Sequence, residues 1–300
     1  MDLSIVGLRV FREIAERGSF TSAAVALGYT QSAVSRQIAA LERATRADLF
    51  ERRPSGVRLT APGRVLLRHA AVVLDELDAA RRELGGLPVE DGAVRLGAFP
   101  SAGAALLPRA LAALRRSHPG IDVTTREAGT PSLVRALRAG SLDLAVLALA
   151  PPFRAPDAET PGLVLERLAE QEMLVAVPAG HALARSDSDT VRLVDLRGQR
   201  WIASRPTGDE TLLGVWPGLD ERPLIAHSTR DWLTKLQLVA AGCGLTTVPA
   251  LIAPAVPAGI RLLRVADGPQ EMRRLVLARL PGPLAPSAGH LRRALRDASS

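Results

Sequence analysis

Near the start of the chain, Gln31, Ser32, Ser35 and Arg36 form a cluster whose residue types suit recognition chemistry. On a helix, spacings of three and four bring Ser32, Ser35 and Arg36 together on one surface. Arginine can form two hydrogen bonds with guanine, glutamine two with adenine, and serine one with a base or a phosphate. At the start of a helix such groups fit a major groove, and the helix N-terminus itself favours a phosphate. Further on, Leu49 to Thr60 reads as two short strands around Pro54-Ser55-Gly56. Arg52, Arg53 and Arg58 on that hairpin could track a phosphate backbone.

The elements that must position these groups are legible around them. Leu3, Val6, Val10, Phe11 and Ile14 follow a helical period, which Arg17-Gly18 ends. Ser19 suits the N-cap of a second helix, Thr21 to Leu27, closed by Gly28. Thr30 can cap a third helix from Gln31 to about Thr45, with Ala33, Val34, Ile38 and Leu41 as its apolar face. Two short helices joined by a tight turn make a helix-turn-helix. The charge distribution agrees. Residues 1–70 carry eleven arginines against six acids, a net +5, whereas residues 91–300 carry 25 basic against 20 acidic residues over three times the length. Positive density at the N-terminus suits a polyanionic partner. A solvated face on a small helical domain would show the same periodicity, so the pattern alone leaves both readings open.

The motif sequence narrows this. Gly18-Ser19-Phe20-Thr21, Ala23-Ala24, Gln31 through Ile38, Leu41-Glu42, Leu49-Phe50-Glu51-Arg52 and Leu59-Thr60-Ala61-Pro62-Gly63 resemble the signature of LysR-type transcriptional regulators. The match runs from Leu8 to Gly63 with one departure, Ala47-Asp48, where the family usually carries a glycine. The resemblance implies a winged helix-turn-helix over residues 1–60 that binds double-stranded DNA at an interrupted palindrome. It puts Gln31, Ser32, Ser35 and Arg36 at base or phosphate contacts, and Arg52 and Arg53 at wing contacts.

A linker helix is expected over 61–84, with Pro62 in its first turn, where a missing N–H costs little. Leu66, Ala70, Val73, Leu77, Ala80 and Leu84 alternate in steps of four and three, as in a coiled-coil seam. A helix packed on its own domain would also tolerate so short a repeat. The resemblance implies pairing through this helix into a dimer, and into a tetramer as a pair of dimers. Gly85-Gly86-Leu87-Pro88 marks a hinge over 85–92.

Residues 93–300 alternate strands and helices. Strand Val94–Phe99, helix Ala104–Ser117, strand Asp122–Glu127, helix Pro131–Ala139 and strand Leu142–Leu149 make a βαβαβ order, which implies parallel pairing. Strands at Met173–Val177, Arg200–Ala203 and Leu245–Val248 surround a helix at Asp231–Ala241, and a strand (Arg273–Leu280) and helix (Ser287–Asp297) close the chain. The order resembles the two-lobed α/β effector domain of LysR regulators, akin to periplasmic binding proteins. Lobe I is then about 93–163 with 267–300, and lobe II about 164–266. Ligands of open α/β sheets lie beyond the strand carboxyl ends. There the chain offers Ser101 and Ala102, Thr130, Ser204 and Arg205, and Thr229, groups that suit a small carboxylate or other anion but that also serve as ordinary helix caps.

Nothing points to catalysis. His69, His118, His181, His227 and His290 show no metal-ligand spacing, and no Gly-x-Ser-x-Gly elbow, phosphate loop or dinucleotide fingerprint occurs. No metal, cofactor or catalytic residue is therefore expected. An enzyme on a binding-protein-like fold, a dehydratase or a hydrolase, is the remote alternative. A constitutive DNA binder with a vestigial cleft is the nearer one. Cys243, the only cysteine, excludes an intrachain disulfide and is expected to be a buried thiol. No apolar run approaches a membrane span, and no secretory signal is evident, so a cytoplasmic protein is expected, with RNA polymerase as a partner.

Overall fold

A computed structural model describes residues 3–54, 56–84, 92–186, 188–204, 214–268 and 271–299. The expected hinge, Gly85-Gly86-Leu87-Pro88, lies outside the described residues except at its far end, Gly92.

The N-terminal unit comprises α1 (Ile5–Arg17), α2 (Phe20–Leu27), α3 (Gln31–Thr45) and the hairpin β1 (Phe50–Arg53) with β2 (Gly56–Leu59). Ser4, Ser19 and Thr30 cap the three helices by accepting from the N–H groups of Gly7, Ser22 and Ala33. Gly28 turns the chain between α2 and α3 at φ 68°, a left-handed conformation that glycine adopts without strain. Phe11, Ile14, Val34, Ile38, Leu41 and Leu49 are buried together at the centre of the unit. The wing is locked to it by Glu42, whose carboxylate accepts from the Leu49 N–H at 2.9 Å.

Helix α4 (Ala61–Leu84) follows, capped by Thr60 through the Gly63 N–H at 3.1 Å. Its buried face differs from the expected seam. Leu67, Ala70, Ala71 and Leu74 are buried, Leu66 and Leu77 are half-buried, and Val73, Ala80 and Leu84 are exposed. The reason is that α4 packs within its own chain, against α1 on one side and the Ala139-Gly140 corner on the other. Val65, Val72, Val73 and Leu84 remain as an exposed apolar stripe.

In the first lobe, β3 (Ala93–Ala98) runs parallel to β4 (Asp122–Glu127) and to β5 (Leu144–Leu149), as the βαβαβ order implies. Helices α5 (Pro100–Ser117) and α6 (Thr130–Arg138) are the crossovers. The second lobe is reached by β6 (Val164–Pro178), one long strand of which only Met173–Val177 was expected. Its first part pairs with β12 (Met272–Arg279) in lobe I; its end pairs with β10 (Thr246–Pro249) and β11 (Ile260–Val265) in lobe II. Between them lie β7 (Thr190–Val191), β8 (Arg200–Ala203), β9 (Leu224–Ser228) and α7 (Trp232–Ala240), and α8 (Pro286–Ser299) returns to pack on α5. A bridge between Trp201 and Leu245 joins β8 to the lobe II sheet.

The N-terminal unit and lobe I are bound by charge. Arg95 on β3 donates to Asp75 of α4 at 2.7 and 3.0 Å and to Asp143 at 2.7 and 3.2 Å. Burial opposes its charge, but the two carboxylates outweigh that and raise its pKa further. Asp75 also receives Arg12 of α1 at 3.5 Å, and Arg9 reaches Asp78 at 3.0 Å. Glu16, buried at the end of α1, pairs with Arg126 of β4, and its carbonyl accepts from Arg135 of α6 at 2.9 Å. Gly140 approaches α4 so closely that a β-carbon there would collide with Ala71, and its φ of 66° disfavours other residues as well.

Replacing Asp75 with alanine leaves Arg95 and Arg12 facing each other without their shared carboxylate. The expected cost, reduced because the groups are about one-third exposed, is about 1–2 kcal/mol. Chemical denaturation of Asp75→Ala should show this loss; an unchanged midpoint would mean that the junction carries no stability.

Candidate nucleic-acid interface and effector cleft

On the recognition helix, Val34, Ile38 and Leu41 face inward, while Gln31, Ser32 and Arg36 are exposed and Ser35 is half-buried. Gln31 donates to Ser35 at 3.2 Å, and Ser32 lies 3.1 Å from the capping Thr30 hydroxyl. Arg36 makes no ion pair among the described residues, so its fork is available to a base edge. The four groups expected to read DNA therefore share one exposed end of α3.

The wing presents Arg52, Arg53 and Arg58 to solvent. Arg53 donates to Glu51 at 2.8 Å, and Arg58 lies 4.0 Å from the same carboxylate. The hydrogen bond from Arg53 holds the Glu51 carboxyl below its usual range. Glu51 was not among the expected site residues. It orders two wing arginines while cancelling part of their charge, and its i, i+2 spacing from Arg53 on a strand was the available signal.

Each α/β lobe carries one ledge of polar groups beyond two adjacent parallel strands. In lobe I, Ala98 of β3 stands in register with Glu127 of β4, and α5 and α6 begin just past them. Phe99 and Gly129 are their N-caps, and neither contributes a side-chain cap. Ser101 is buried in the first turn of α5, and Thr130 opens α6 with its hydroxyl 3.4 Å from the Ala148 carbonyl. Ala102 brings nothing to this ledge: its methyl is buried in the lobe I core, and its N–H donates to Phe99. The expectation for Ala102 is corrected on that ground.

In lobe II, Ala203 of β8 stands in register with Ser228 of β9. Ser204 follows one strand and Thr229 the other, and the Ser204 hydroxyl donates to the Thr229 carbonyl at 2.9 Å. Arg205 lies outside the described residues. Thr229 is the one expected cleft hydroxyl engaged in local turn chemistry, accepting from the Asp231 N–H at 3.2 Å. The two lobes meet near α5: Ala105, one turn beyond Ser101, packs against a lobe II cluster that includes Ile202, Leu236 and Ile252.

Sequence reasoning missed the centre of the lobe II ledge. Lys235 of α7, the only lysine in the chain, is 2% exposed and donates from Nζ to the Ser204 hydroxyl at 2.9 Å. Its Nζ also sits 5.0 Å from the Trp232 ring centre. Burial pushes its pKa down to about 8. The signal was present in the sequence, a single lysine inside an apolar helical period, Trp232-Leu233-Thr234-Lys235-Leu236, but nothing there placed it near Ser204.

Elsewhere, His118 and His290, 172 positions apart, stack with ring centres 3.7 Å apart beside a cavity of about 480 Å³ between α5 and α8, lined also by Arg109 and Arg293. Among the described residues no three potential ligands form a metal site. Cys243 is half-buried rather than buried, in the Gly242–Gly244 turn. No helix of the described residues is long and apolar enough to cross a membrane.

A winged helix-turn-helix joined by a long helix to a two-lobed α/β domain defines a one-component DNA-binding regulator. The chain belongs to the LysR family: residues 5–64 match the bacterial regulatory helix-turn-helix domain of the lysR family, and residues 89–300 match the LysR substrate binding domain. It is thus a DNA-binding transcriptional regulator with an effector-binding domain. It is 32% identical over 291 residues to a probable hydrogen peroxide-inducible genes activator of Mycobacterium avium, covering 91% of this chain and 87% of that one. It is 31% identical over 246 residues to the transcriptional dual regulator GltC of Bacillus subtilis, covering 81% and 79%. The fold is shared with full-length CbnR in complex with its target DNA, at 22% identity and a TM-score of 0.57, with 98% of this chain and 99% of that chain covered.

Lys235 sets a stability test. Its ammonium is harder to hold in the folded than in the unfolded chain, so the penalty is complete below pH 8 and vanishes as pH rises past about 10.5. Lys235→Met should therefore unfold at higher temperature at pH 7, by up to about 3 kcal/mol of added stability. That advantage should shrink steadily above pH 8. A variant less stable than the parent at pH 7 would contradict the buried-charge account.

Proposed function

We propose that Gln31, Ser32, Ser35 and Arg36 read base edges of an interrupted palindrome, while Arg52, Arg53 and Arg58 grip the phosphates. The observation that carries this reading is the shared exposed end of α3, with Arg36 uncommitted beside three short polar side chains. Two copies related by a two-fold axis would double the contacts. The exposed stripe Val65, Val72, Val73 and Leu84 on α4 supports pairing through that helix, and the family supports a further step to a tetramer. A small effector, anionic by the character of the ledges, binds between the lobes around Ser101, Thr130, Ser204 and Thr229. Arg205 is kept as a candidate although it lies outside the described residues.

The effector signal has a material route. Thr130 opens α6, and Arg135 and the neighbouring β4 residue Arg126 both hold Glu16 of α1. A shift of α6 on effector binding therefore pulls on the DNA-binding unit, changes the spacing of the paired recognition helices and alters access of RNA polymerase. Only an effector that binds the two arrangements with different affinity can drive this. Several relatives are named as peroxide-inducible activators. In this chain Cys243 has no second cysteine to pair with, which favours a bound small molecule over an intrachain disulfide. The protein works in the cytoplasm and is not an enzyme.

The test is selection of sheared genomic DNA by the purified protein at physiological salt, followed by sequencing. A few enriched sites sharing one interrupted palindrome are expected; uniform recovery would refute specific reading. On such a site Arg36→Ala should cost about 1–3 kcal/mol and relax specificity at one position. Arg52→Ala should weaken all sequences alike and flatten the salt dependence by about one unit, and a sequence-selective loss would overturn its assignment to phosphate.

A further inference from the structure

Lys235 carries a charge that no carboxylate among the described residues neutralises. An ammonium has three donors; one goes to the Ser204 hydroxyl, which is neutral and itself donates to the Thr229 carbonyl. Among the described residues no carboxylate offsets the burial of Nζ, whose hydrogen bond goes to Ser204. The elements around it bring Ser204 from the end of β8, Thr229 from the end of β9, and Trp232 and Asp231 from α7 itself. Asp231 is already spent as the helix cap, accepting from the Thr234 N–H at 2.6 Å. A buried cation without a counter-charge is costly, and the surrounding helix position would take an apolar residue at no such cost. The ammonium stands beside Ser204 and Thr229, the residues that follow the carboxyl ends of β8 and β9.

We propose that the effector carries a carboxylate and that this group seats on the ammonium of Lys235, beside Ser204, as a counter-charge that the described residues do not supply. This rests on the reading that a small molecule binds between the lobes. A monoanion is matched by the Lys235 ammonium alone, whereas a phosphate dianion would also call on a second cation such as Arg205. The carboxylate restores the charge balance, so the lysine holds its proton more tightly in the complex than in the free protein. Lys235 is in this sense a specificity-determining residue: a neutral isostere of the effector leaves the ammonium unpaired and binds weakly.

Because the chain has one lysine, labelling with lysine enriched at the ε-carbon gives one side-chain resonance, and it reports on this site alone. The full-length protein is titrated with formate, acetate and benzoate, each against its amide, at matched ionic strength. The expected result is a saturable shift of the lysine signal with a carboxylate, none with its amide, and a higher pH midpoint in the complex. In Lys235→Met, thermal stabilisation by that carboxylate should fall at least about tenfold in apparent affinity. A signal that no carboxylate moves, or that amides move equally, overturns the proposal, as does a Lys235→Met protein that binds the carboxylate like the parent. Stabilisation by carboxylate and amide alike, retained in the variant, would refute the role of Lys235 while leaving a ligand-binding cleft in place. Failure of the regulator reading would instead appear in the DNA selection.

Discussion

A guanidinium shared between two carboxylates from different parts of the chain is the constraint on which the arrangement depends. Arg95 leaves the first strand of lobe I, takes Asp143 from the same lobe, and reaches across to Asp75 on the linker helix. Removing either acid would leave the half-buried guanidinium only one of its two carboxylates, so the helix has one favoured seat on the lobe. Glu16 makes the second tie, to Arg126 and Arg135. Between these ties the Ala139-Gly140 corner fits against Ala71 with no room for a larger residue. The DNA-binding unit is thereby attached to the strand and helix that carry the lobe I ledge, and a change at that ledge has a short physical path to the recognition helix.

The two ledges are alike in backbone and different in charge. Both lie beyond the ends of paired parallel strands, where helix N-termini or turns expose polar groups. Lobe I contributes Ser101 and Thr130, neutral groups next to helices without side-chain caps. Lobe II contributes a buried ammonium. On the proposed reading, a carboxylate ligand would pair with the lobe II ammonium and gain the lobe I hydrogen bonds only when the ledges close on it. Closure driven in this way differs from simple occupancy, because the binding energy is realised in one of the two arrangements.

Much of this was legible in the residues. The N-terminal elements were readable almost to the residue, because Ser19, Thr30 and Thr60 are local capping signals and Gly28 marks a turn that needs a positive φ. The parallel strands of lobe I followed from the alternation of strand and helix periods. What escaped was non-local. The face of the linker helix covered within the chain was not legible, because α1 and the Ala139-Gly140 corner cover Leu67 and Leu74, and no periodicity within the helix can say what will cover it. Only Met173–Val177 of the strand Val164–Pro178 was legible, because its first half pairs in one lobe and its second half in the other, so its burial pattern changes midway. β9 and β11 were missed for a related reason: their half-buried residues do not alternate cleanly. Lys235 was invisible as a site residue because its significance lies in Ser204, 31 positions away. Ala102 was included for its position after a strand, yet its side chain turns into the core.

The central claim, that the DNA-binding unit and lobe I act as one body, is tested most directly by reversing the Glu16–Arg126 pair and following unfolding. Glu16→Arg and Arg126→Glu are made singly and together in the full-length protein. Each single change should lower the unfolding midpoint and separate the two units into distinct transitions. The double change should restore a single cooperative transition. Single variants that unfold like the parent, or a double variant no better than the sum of the two, would contradict it.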